Sequence, residues 1–307
     1  MAASARRMRF CTYEVLGETP SRKRAGVIRG MEVIELGTEA TMASVLESGR
    51  GTRDLEGSGG RNRLDMVSLA APVPRPGKII ATIVNTQAML GGSDVHLEMP
   101  RVDMKAPSAV VGPRTKINAP PSGIRPEVEL AAVIGRKVCR ATEAEARASI
   151  FGYTILNDVT APSDSRDDAY EAYRRDKTTG VIRKSSMRGP LFRSKNHDTF
   201  CPMGPWIVTS DELNDVSGLW MTTKFDGHLV QEGSTSEYLF SPARIASYVS
   251  GFLTLEPGDV VSCGSVGWTR EALRDLDPTE YVLPKRDGML ELEIEGIGAL
   301  ENPVSYC

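Results

Sequence analysis

The chain has 307 residues, of which 40% are hydrophobic and 25% are charged, and this composition excludes an intrinsically disordered protein. Its formal net charge is −3 and its basic residues are scattered, so no continuous cationic face is available for a nucleic-acid backbone. No segment approaches the roughly 18 apolar residues that a membrane helix requires, and we expect a cytoplasmic protein with neither a nucleic-acid nor a membrane partner.

The N-terminal part of the sequence predicts a small α+β segment. Residues 8–16 and 25–36 are strand-like, and a short helix is expected within residues 38–49. Residues 50–63 are polar and rich in glycine, which is typical of a mobile linker. A domain boundary is therefore expected in this part of the chain.

We accordingly predict a small N-terminal domain with its linker over residues 1–70 and a main domain over residues 71–307. Near the start of the main domain, residues 78–84 form a short apolar run of the kind that becomes a buried strand. Further along the chain, Thr142 and Glu145 have the spacing of a capping box, which predicts the start of a short helix.

The remaining patterns of the main domain favour strands over helices. Residues 151–156 are apolar and strand-like, and residues 290–295 alternate between apolar and acidic side chains, as in a half-buried strand. Ser241 and Pro242 provide an N-cap and a first-turn proline for a helix that ends near Phe252. No glycine-rich nucleotide motif follows a strand, and we predict an α+β fold that is mainly β.

Candidate metal ligands are carboxylates, because the cysteines and histidines lack the spacing of a zinc site and the cysteines are expected to be reduced thiols. Glu127 and Glu129 are two residues apart in a strand-like segment, so their side chains point to the same side. Neighbouring carboxylates repel each other unless a cation or a proton lies between them. Asp158, at the end of an apolar run, is a candidate third ligand. A strand whose glutamates face water is the alternative on this pattern alone.

Several motifs, in the same order along the chain, resemble those of the fumarylacetoacetate hydrolase family. The matching stretches are Lys105-Ala106-Pro107-Ser108-Ala109, Glu127-Val128-Glu129-Leu130, Phe151-Gly152-Tyr153-Thr154 with Asn157-Asp158-Val159, residues 198–206 (DTFCPMGPW), Gln231-Glu232-Gly233 with Thr235-Ser236, residues 255–260 (LEPGDV), and residues 294–298 (IEGIG) with 302–304 (NPV). The resemblance extends over roughly residues 78–304, with a looser match before them.

This resemblance implies a mixed β-roll or β-sandwich core and a homodimer. It further implies that Glu127, Glu129 and Asp158 bind Mg²⁺, or Mn²⁺ or Ca²⁺ in its place, and that the substrate is a small 2-oxo or β-dicarbonyl acid. Lys195 corresponds to a family lysine that faces the substrate. The substrate-binding positions implied by the resemblance are Asn85, Ser108, Gln231, Thr235 and Ser265.

The sequence departs from the family where a histidine and a glutamate normally activate water. Met89 stands at the position of the histidine and Gly92 at that of the glutamate, and a thioether cannot accept a proton at neutral pH. His96 and His197 are both candidates to replace this pair, and the sequence does not choose between them. Residues 164–193 form a longer segment than is typical of the family, and we expect it to reshape the mouth of the site.

The first hypothesis for the function is a metal-dependent enzyme that cleaves a C–C bond of an oxo acid through an enolate. Because the water-activating pair is missing, a decarboxylase, an isomerase or tautomerase, or a dehydratase acting on a similar acid is the alternative. A protein of a different class, which keeps the metal but has lost turnover, is a further alternative.

Overall fold

The structure is a computed structural model that describes most of the chain. The described residues are 8–37, 40–49, 55, 57, 59–91, 95–274 and 281–306. Among them, no helix has the length and apolar character needed to cross a membrane.

Strands predominate over helices in the described residues. The strands are β1 (Arg9–Val15), β2 (Arg24–Arg29), β3 (Glu32–Glu35), β4 (Arg61–Arg63), β5 (Val67–Ala70), β6 (Ile79–Val84), β7 (Arg101–Lys105), β8 (Val110–Val111), β9 (Ile117–Ala119), β10 (Val128–Ile134), β11 (Ile150–Asn157), β12 (Tyr170–Arg175), β13 (Ile182–Met187), β14 (Cys201–Thr209), β15 (Trp220–Phe225), β16 (His228–Ser234), β17 (Val260–Ser265), β18 (Gly288–Ile294) and β19 (Gly298–Tyr306). The α-helices are α1 (Met42–Glu47), α2 (Gln87–Leu90), α3 (Glu143–Ser149), α4 (Pro162–Asp167), α5 (Phe192–Lys195) and α6 (Pro242–Ser250). The predicted mainly β fold is confirmed.

Two sheets form the body of the protein. The larger sheet has the strand order β4-β3-β2-β1-β14-β11-β10-β17-β6-β7, with β5 added on β1 and β8 on β14. The smaller has the order β16-β15-β18-β19-β9. The main hydrophobic core includes inward-facing residues of both sheets, such as Leu130, Ile155 and Leu292. Strand β10 is buried along its whole length, which places it at the centre of the fold.

The N-terminal strands continue the larger sheet rather than forming a sheet of their own. Strand β1 pairs with β14 in antiparallel register, and the ring of Phe10 packs edge-on against Phe151 with centroids 5.2 Å apart. Within the segment expected to be a linker, Arg61–Arg63 form β4, because this short polar stretch pairs with β3. Several other linker residues lie outside the described part of the chain. The domain boundary at residue 70 stays a prediction.

The sequence correctly predicted the first residues of helices α3 and α6. The Thr142 hydroxyl accepts a hydrogen bond from the backbone N–H of Glu145, whose carboxylate bonds back to the Thr142 N–H, and α3 begins there. The Ser241 hydroxyl caps α6 by accepting a hydrogen bond from the backbone N–H of Arg244, with Pro242 in the first turn. The strand predictions for residues 78–84, 151–156 and 290–295 correspond to β6, β11 and β18.

The long segment of residues 164–193 contains an antiparallel hairpin of β12 and β13. Tyr170 pairs with Met187 at its base, and the two strands form a sheet separate from the other two. Helix α4 precedes the hairpin and α5 follows it. Along the chain, the hairpin therefore lies between these two short helices.

Gly152 permits the close approach of β11 and β14. A Cβ atom at this position would lie 2.3 Å from the carbonyl oxygen of Val208 and 2.6 Å from a methyl group of Ile207. We expect Gly152→Ala to lower the free energy of unfolding by about 1–3 kcal/mol, because backbone atoms cannot move aside cheaply. Gly218→Ala is the matched control, since no atom lies within 4 Å of its added Cβ. Urea denaturation would measure both, and equal stability of the two variants would contradict the prediction.

Candidate metal centre

The pairing of β10 with β11 brings the acidic residues together. Val128 pairs with Asn157, so Glu127 just before β10 adjoins Asp158 just after β11. The N–H of Asp158 donates to the carbonyl oxygen of Glu127 at 3.0 Å, and the N–H of Glu127 donates to the side-chain oxygen of Asn157 at 3.0 Å. One backbone–backbone and one backbone–side-chain hydrogen bond thus fix the relative position of two acidic residues that are 31 residues apart in sequence.

The side chains of Glu127, Glu129 and Asp158 form one carboxylate cluster. One oxygen from each lies within 4.8 Å of the others. The exposed fractions of these residues are only 5%, 1% and 1%, respectively. The alternative of a strand whose glutamates face water is therefore wrong.

Each glutamate is held by its own donors. The Ser262 hydroxyl and the Gly264 N–H both donate to one oxygen of Glu129, the latter at 3.2 Å. Glu127 contacts the guanidinium of Arg125 at 3.2 Å and accepts a hydrogen bond from the Thr160 hydroxyl at 3.3 Å. The carboxylates consequently have fixed orientations, as a preformed ligand set requires.

Two buried lysines complete the cluster. The ammonium of Lys195 donates to Asp158, to Glu127 at 3.2 Å and to the Thr160 hydroxyl at 3.1 Å. The ammonium of Lys105, whose side chain has no exposed surface, donates to the other oxygen of Asp158 at 2.6 Å. It also donates to the backbone oxygens of Lys195, at 2.6 Å, and Val159, at 3.2 Å. All three N–H groups of each lysine are used within the cluster.

The three acidic side chains sit in different electrostatic environments. Burial, reinforced by the charges of Asp158 and Glu127, raises the pKa of the Glu129 carboxyl well above its ordinary value. Burial alone would also raise the pKa of Asp158, but the ammonium groups of Lys105 and Lys195 outweigh it and hold that pKa at about 2. Burial opposes the charge of Lys195, yet Asp158, Glu127 and Glu129 together raise its pKa. Asp158 is therefore an anion, whereas Glu129 needs a further positive partner to stay ionised.

This donor set suits a hard divalent cation. Carboxylate oxygens are the ligands that Mg²⁺, Mn²⁺ and Ca²⁺ prefer, and no histidine or cysteine belongs to the cluster within the described residues. A cation between the acids would offset both the burial and the repulsion by Asp158 and Glu127 that raise the pKa of Glu129. Glu127, Glu129 and Asp158 are thus able to hold one such ion.

The sequence profile described as "Fumarylacetoacetate (FAA) hydrolase C-terminal" matches residues 78–305. The chain belongs to the fumarylacetoacetate hydrolase family. A 2,4-didehydro-3-deoxy-L-rhamnonate hydrolase of Sphingomonas sp. (strain SKA58) is 32% identical to it over 238 residues, covering 76% of this chain and 75% of that protein. The mitochondrial oxaloacetate tautomerase FAHD2B of Bos taurus is 30% identical over 275 residues, covering 86% and 79%.

The crystal structure of a 5-carboxymethyl-2-hydroxymuconate delta-isomerase from Mycobacterium smegmatis has the same fold. It superposes with a TM-score of 0.74 at 30% identity and covers 98% of this chain and 100% of that one. These relatives are named as a hydrolase, a tautomerase and an isomerase. The family therefore comprises enzymes of more than one reaction type.

The residues expected to bind substrate occupy different surroundings. The Gln231 side chain is fully buried and bonds to the Val128 N–H, the Thr223 hydroxyl, the Ser265 hydroxyl and the Val266 carbonyl. The Ser265 hydroxyl in turn donates to the carbonyl oxygen of Val128 at 3.0 Å. Gln231 and Ser265 thus support the strand between the two glutamates, and the Gln231 amide has no hydrogen-bonding capacity left over.

For the three other predicted substrate-binding residues, no contact with the carboxylate cluster is observed. The amide of Asn85 bonds to the backbone of Phe240 and Cys263, and the Thr235 hydroxyl bonds to the backbone of residues 216, 218 and 219. Ser108 is exposed in a 3₁₀ turn directly after β7. Their roles toward a substrate stay predictions.

The two candidate histidines differ in their surroundings. His197 contacts the buried carboxylate of Asp164, with 2.5 Å between Nε2 and Oδ2, and its ring lies 4.8 Å from that of Phe200. His96 is exposed. Met89 lies in α2 and packs against the main hydrophobic core, while Gly92 lies outside the described residues.

Lys105 is the principal residue of this site that the sequence did not reveal. It belongs to a stretch that matches the family, Lys105-Ala106-Pro107-Ser108-Ala109, and a lysine at the end of a strand just before a proline was the available signal. Its partners Asp158 and Lys195 are 53 and 90 residues away in sequence. Local patterns do not encode contacts of that range.

We expect Lys105→Met to lower the free energy of unfolding by about 3–5 kcal/mol, because Asp158 would lose a buried counter-charge. Lys137→Met is the matched control, since Lys137 forms an exposed ion pair with Glu256 at 3.0 Å, and it should leave stability nearly unchanged. Urea denaturation monitored by circular dichroism would measure both. A loss for Lys105→Met no larger than that of the control would refute a structural role for this ammonium.

Proposed function

We propose that this protein is a divalent-metal-dependent enzyme that enolises a small 2-oxo acid, with keto–enol tautomerisation or isomerisation as its reaction. The observation that carries the proposal is the combination of the carboxylate cluster with a helix α2 that offers no water-activating pair. The printed activities of two relatives, a tautomerase and an isomerase, support it.

Charge balance favours an anionic substrate. When all three acids are ionised, the carboxylates of Glu127, Glu129 and Asp158 balance the cationic groups of Lys105, Lys195 and Arg125, three formal charges of each sign. A divalent ion bound by the acids would add positive charge and act as a Lewis acid toward the oxo and carboxylate oxygens of a substrate. The enolate form of a 2-oxo acid carries two negative charges, which would balance the two positive charges of the bound ion.

Lys195 is the residue of the chain best suited to stabilise the enolate oxygen. Its ammonium is buried, and its raised pKa keeps it protonated. It already contacts Glu127, Asp158 and Thr160 at the edge of the cluster. If Lys195 donated to an anionic oxygen of the substrate in place of the Thr160 hydroxyl, that hydrogen bond would be stronger, because hydrogen bonds between two charged groups are stronger than those to a neutral acceptor.

Hydrolytic C–C cleavage is the second candidate. The hydrolase relative from Sphingomonas supports it, and the same enolate would be its product. It requires a base for water, however, and Met89 in α2 packs against hydrophobic residues and cannot serve as one. Activation of water therefore needs another group of the chain.

Mg²⁺ or Mn²⁺ should raise the melting temperature of the protein. An ion present at 100 times its Kd stabilises the folded state by about 2.7 kcal/mol. Glu127→Gln and Glu129→Gln should abolish most of this stabilisation, whereas Glu293→Gln, on the exposed face of β18, should not. Differential scanning fluorimetry with and without the ion would measure the shifts. Unchanged shifts in both cluster variants would show that the ion binds elsewhere.

The proposed reaction predicts a preference among substrates. With Mg²⁺, interconversion of enol and keto oxaloacetate should be at least about 100-fold faster than release of pyruvate from an acylpyruvate at the same concentration, because hydrolysis lacks its usual base. Loss of enol absorbance measures the first rate, and chromatography of pyruvate measures the second. Faster pyruvate release would favour the hydrolase candidate instead.

The predicted homodimer also belongs to this proposal. Its molar mass in solution, measured by light scattering, would distinguish it from the monomer of 33.3 kDa.

A further inference from the structure

His197 and Asp164 form a close imidazole–carboxylate pair. Nε2 of His197 lies 2.5 Å from Oδ2 of Asp164, whose side chain has an exposed fraction of 7%. A carboxylate only accepts hydrogen bonds, so Nε2 is the nitrogen that donates to Asp164, and in the tautomer with a single proton Nδ1 holds a lone pair. The His197 side chain has an exposed fraction of 33%, so part of the ring is accessible to a small molecule.

The turn that carries His197 is held in place from several sides. The carbonyl oxygen of Lys195 accepts from the buried ammonium of Lys105, and the Asn196 side chain accepts from the N–H of Ala106. The carbonyl oxygen of His197 itself accepts from the N–H of Phe200 at 3.1 Å. With both its backbone and its ring fixed, the imidazole is preorganised in the way that a proton-transfer group requires.

Chain connectivity links this pair to the residues of the carboxylate cluster. His197 follows Lys195 by two residues, so their Cα atoms are at most about 7 Å apart. On the other side of the pair, Asp164 lies in the first turn of α4, six residues after Asp158. The N–H of Ala161 donates to the carbonyl oxygen of Ser194 at 2.8 Å, which joins the two segments. The two segments that carry Asp158 and Lys195 therefore also carry Asp164 and His197, and they are joined to each other next to the cluster residues.

We propose that His197 is the proton-transfer residue for enolisation and that Asp164 is its positioning residue. The inference rests on the proposed function, since it names the base that such a reaction needs. It also chooses between the two candidate histidines. Within the described part of the chain, exposed His96 has no carboxylate at hydrogen-bonding distance, whereas His197 has the buried one of Asp164.

The proton transfer balances without any further reactant. Nδ1 of His197 takes a proton from the carbon next to the oxo group, so that a C–H bond breaks and an N–H bond forms. The electron pair of the C–H bond becomes the C=C bond, and the oxo oxygen gains the negative charge, which the Lys195 ammonium stabilises. Return of the proton from Nδ1 to that oxygen gives the enol. The Asp164 carboxylate stabilises the imidazolium that exists between the two transfers.

The test measures exchange of the methyl protons of pyruvate for deuterium, by ¹H NMR in D₂O with saturating Mg²⁺. His197→Phe keeps an aromatic ring against Phe200 but removes both nitrogens, and it should slow exchange at least about 100-fold. Affinity for oxalate, which has no proton to transfer, should stay unchanged in the same variant. His228→Phe, which replaces the exposed histidine at the start of β16, is the matched control and should exchange like the parent.

Two further variants separate proton transfer from a structural role. Asp164→Asn should slow exchange at least about tenfold with little effect on the KM for pyruvate, because an amide stabilises imidazolium less well than a carboxylate does. His197→Ala should regain part of its exchange rate when imidazole is added, which a purely structural defect would not.

The outcomes distinguish this inference from the proposed function. If the parent shows Mg²⁺-dependent exchange and His197→Phe exchanges equally fast, His197 is not the base and the inference alone is overturned. Loss of oxalate affinity in His197→Phe, without rescue of His197→Ala by imidazole, would reduce His197 to a structural role and overturn it too. If the parent itself shows no Mg²⁺-dependent exchange, the proposed function fails and the inference fails with it.

Discussion

The ion pairs of Lys105 and Lys195 with Asp158 are the constraint on which the rest of the site depends. A buried carboxylate is tolerated only if its charge is compensated, and both oxygens of Asp158 are occupied by ammonium groups. Lys105 is in addition hydrogen-bonded to the backbone on both sides, at Val159 and Lys195. One ammonium thus ties the ends of β7, β11 and α5 together. These hydrogen bonds of Lys105 therefore fix the position of Lys195 relative to the glutamates.

The electrostatic asymmetry of the cluster has a functional consequence. Asp158 has two lysine partners and a lowered pKa, whereas burial and its acidic neighbours raise the pKa of Glu129. Glu129 is held by the neutral donors Ser262 and Gly264, which orient it without supplying a full charge. The electrostatic demand for a cation is therefore concentrated on Glu129. The ammonium of Lys195 donates to Asp158 and Glu127, whereas the hydrogen bonds to Glu129 come from Ser262 and Gly264.

Sequence patterns were sufficient where local chemistry determines structure. The capping box of Thr142 and the Ser241–Pro242 start of α6 were predicted because a helix end is defined within four residues. The spacing of Glu127 and Glu129 indicated a shared side of a strand, and their carboxylates do meet. The same alternation could not decide whether that side faces water. Strand β10 is buried on both faces because Leu130 and Ala132 pack into one hydrophobic cluster and Ala131 and Val133 into another, and these are tertiary contacts.

Contacts between distant segments explain what the sequence did not show. Arg61–Arg63 has the composition of a linker, yet it forms β4 because β3 provides a pairing edge. Lys105 was visible only as part of a motif, and its burial depends on the packing of three elements. The pair of Asp164 and His197 joins residues 33 positions apart across a hairpin that lengthens the segment between them. No periodicity predicts such a contact.

In residues 85–91, the described part of the segment that differs from the family pattern, the side chains have structural contacts of their own. The amide of Asn85 is hydrogen-bonded to the backbone of Phe240 and Cys263, which is a structural role independent of the reaction. Four residues later, Met89 packs against the core, where a thioether is as suitable as any apolar side chain. Met89 thus contributes to hydrophobic packing, and the carboxylates are held by other strands. Under the proposed function, this chain would combine the carboxylate cluster with a proton-transfer group from another segment, and the type of reaction would follow from that group.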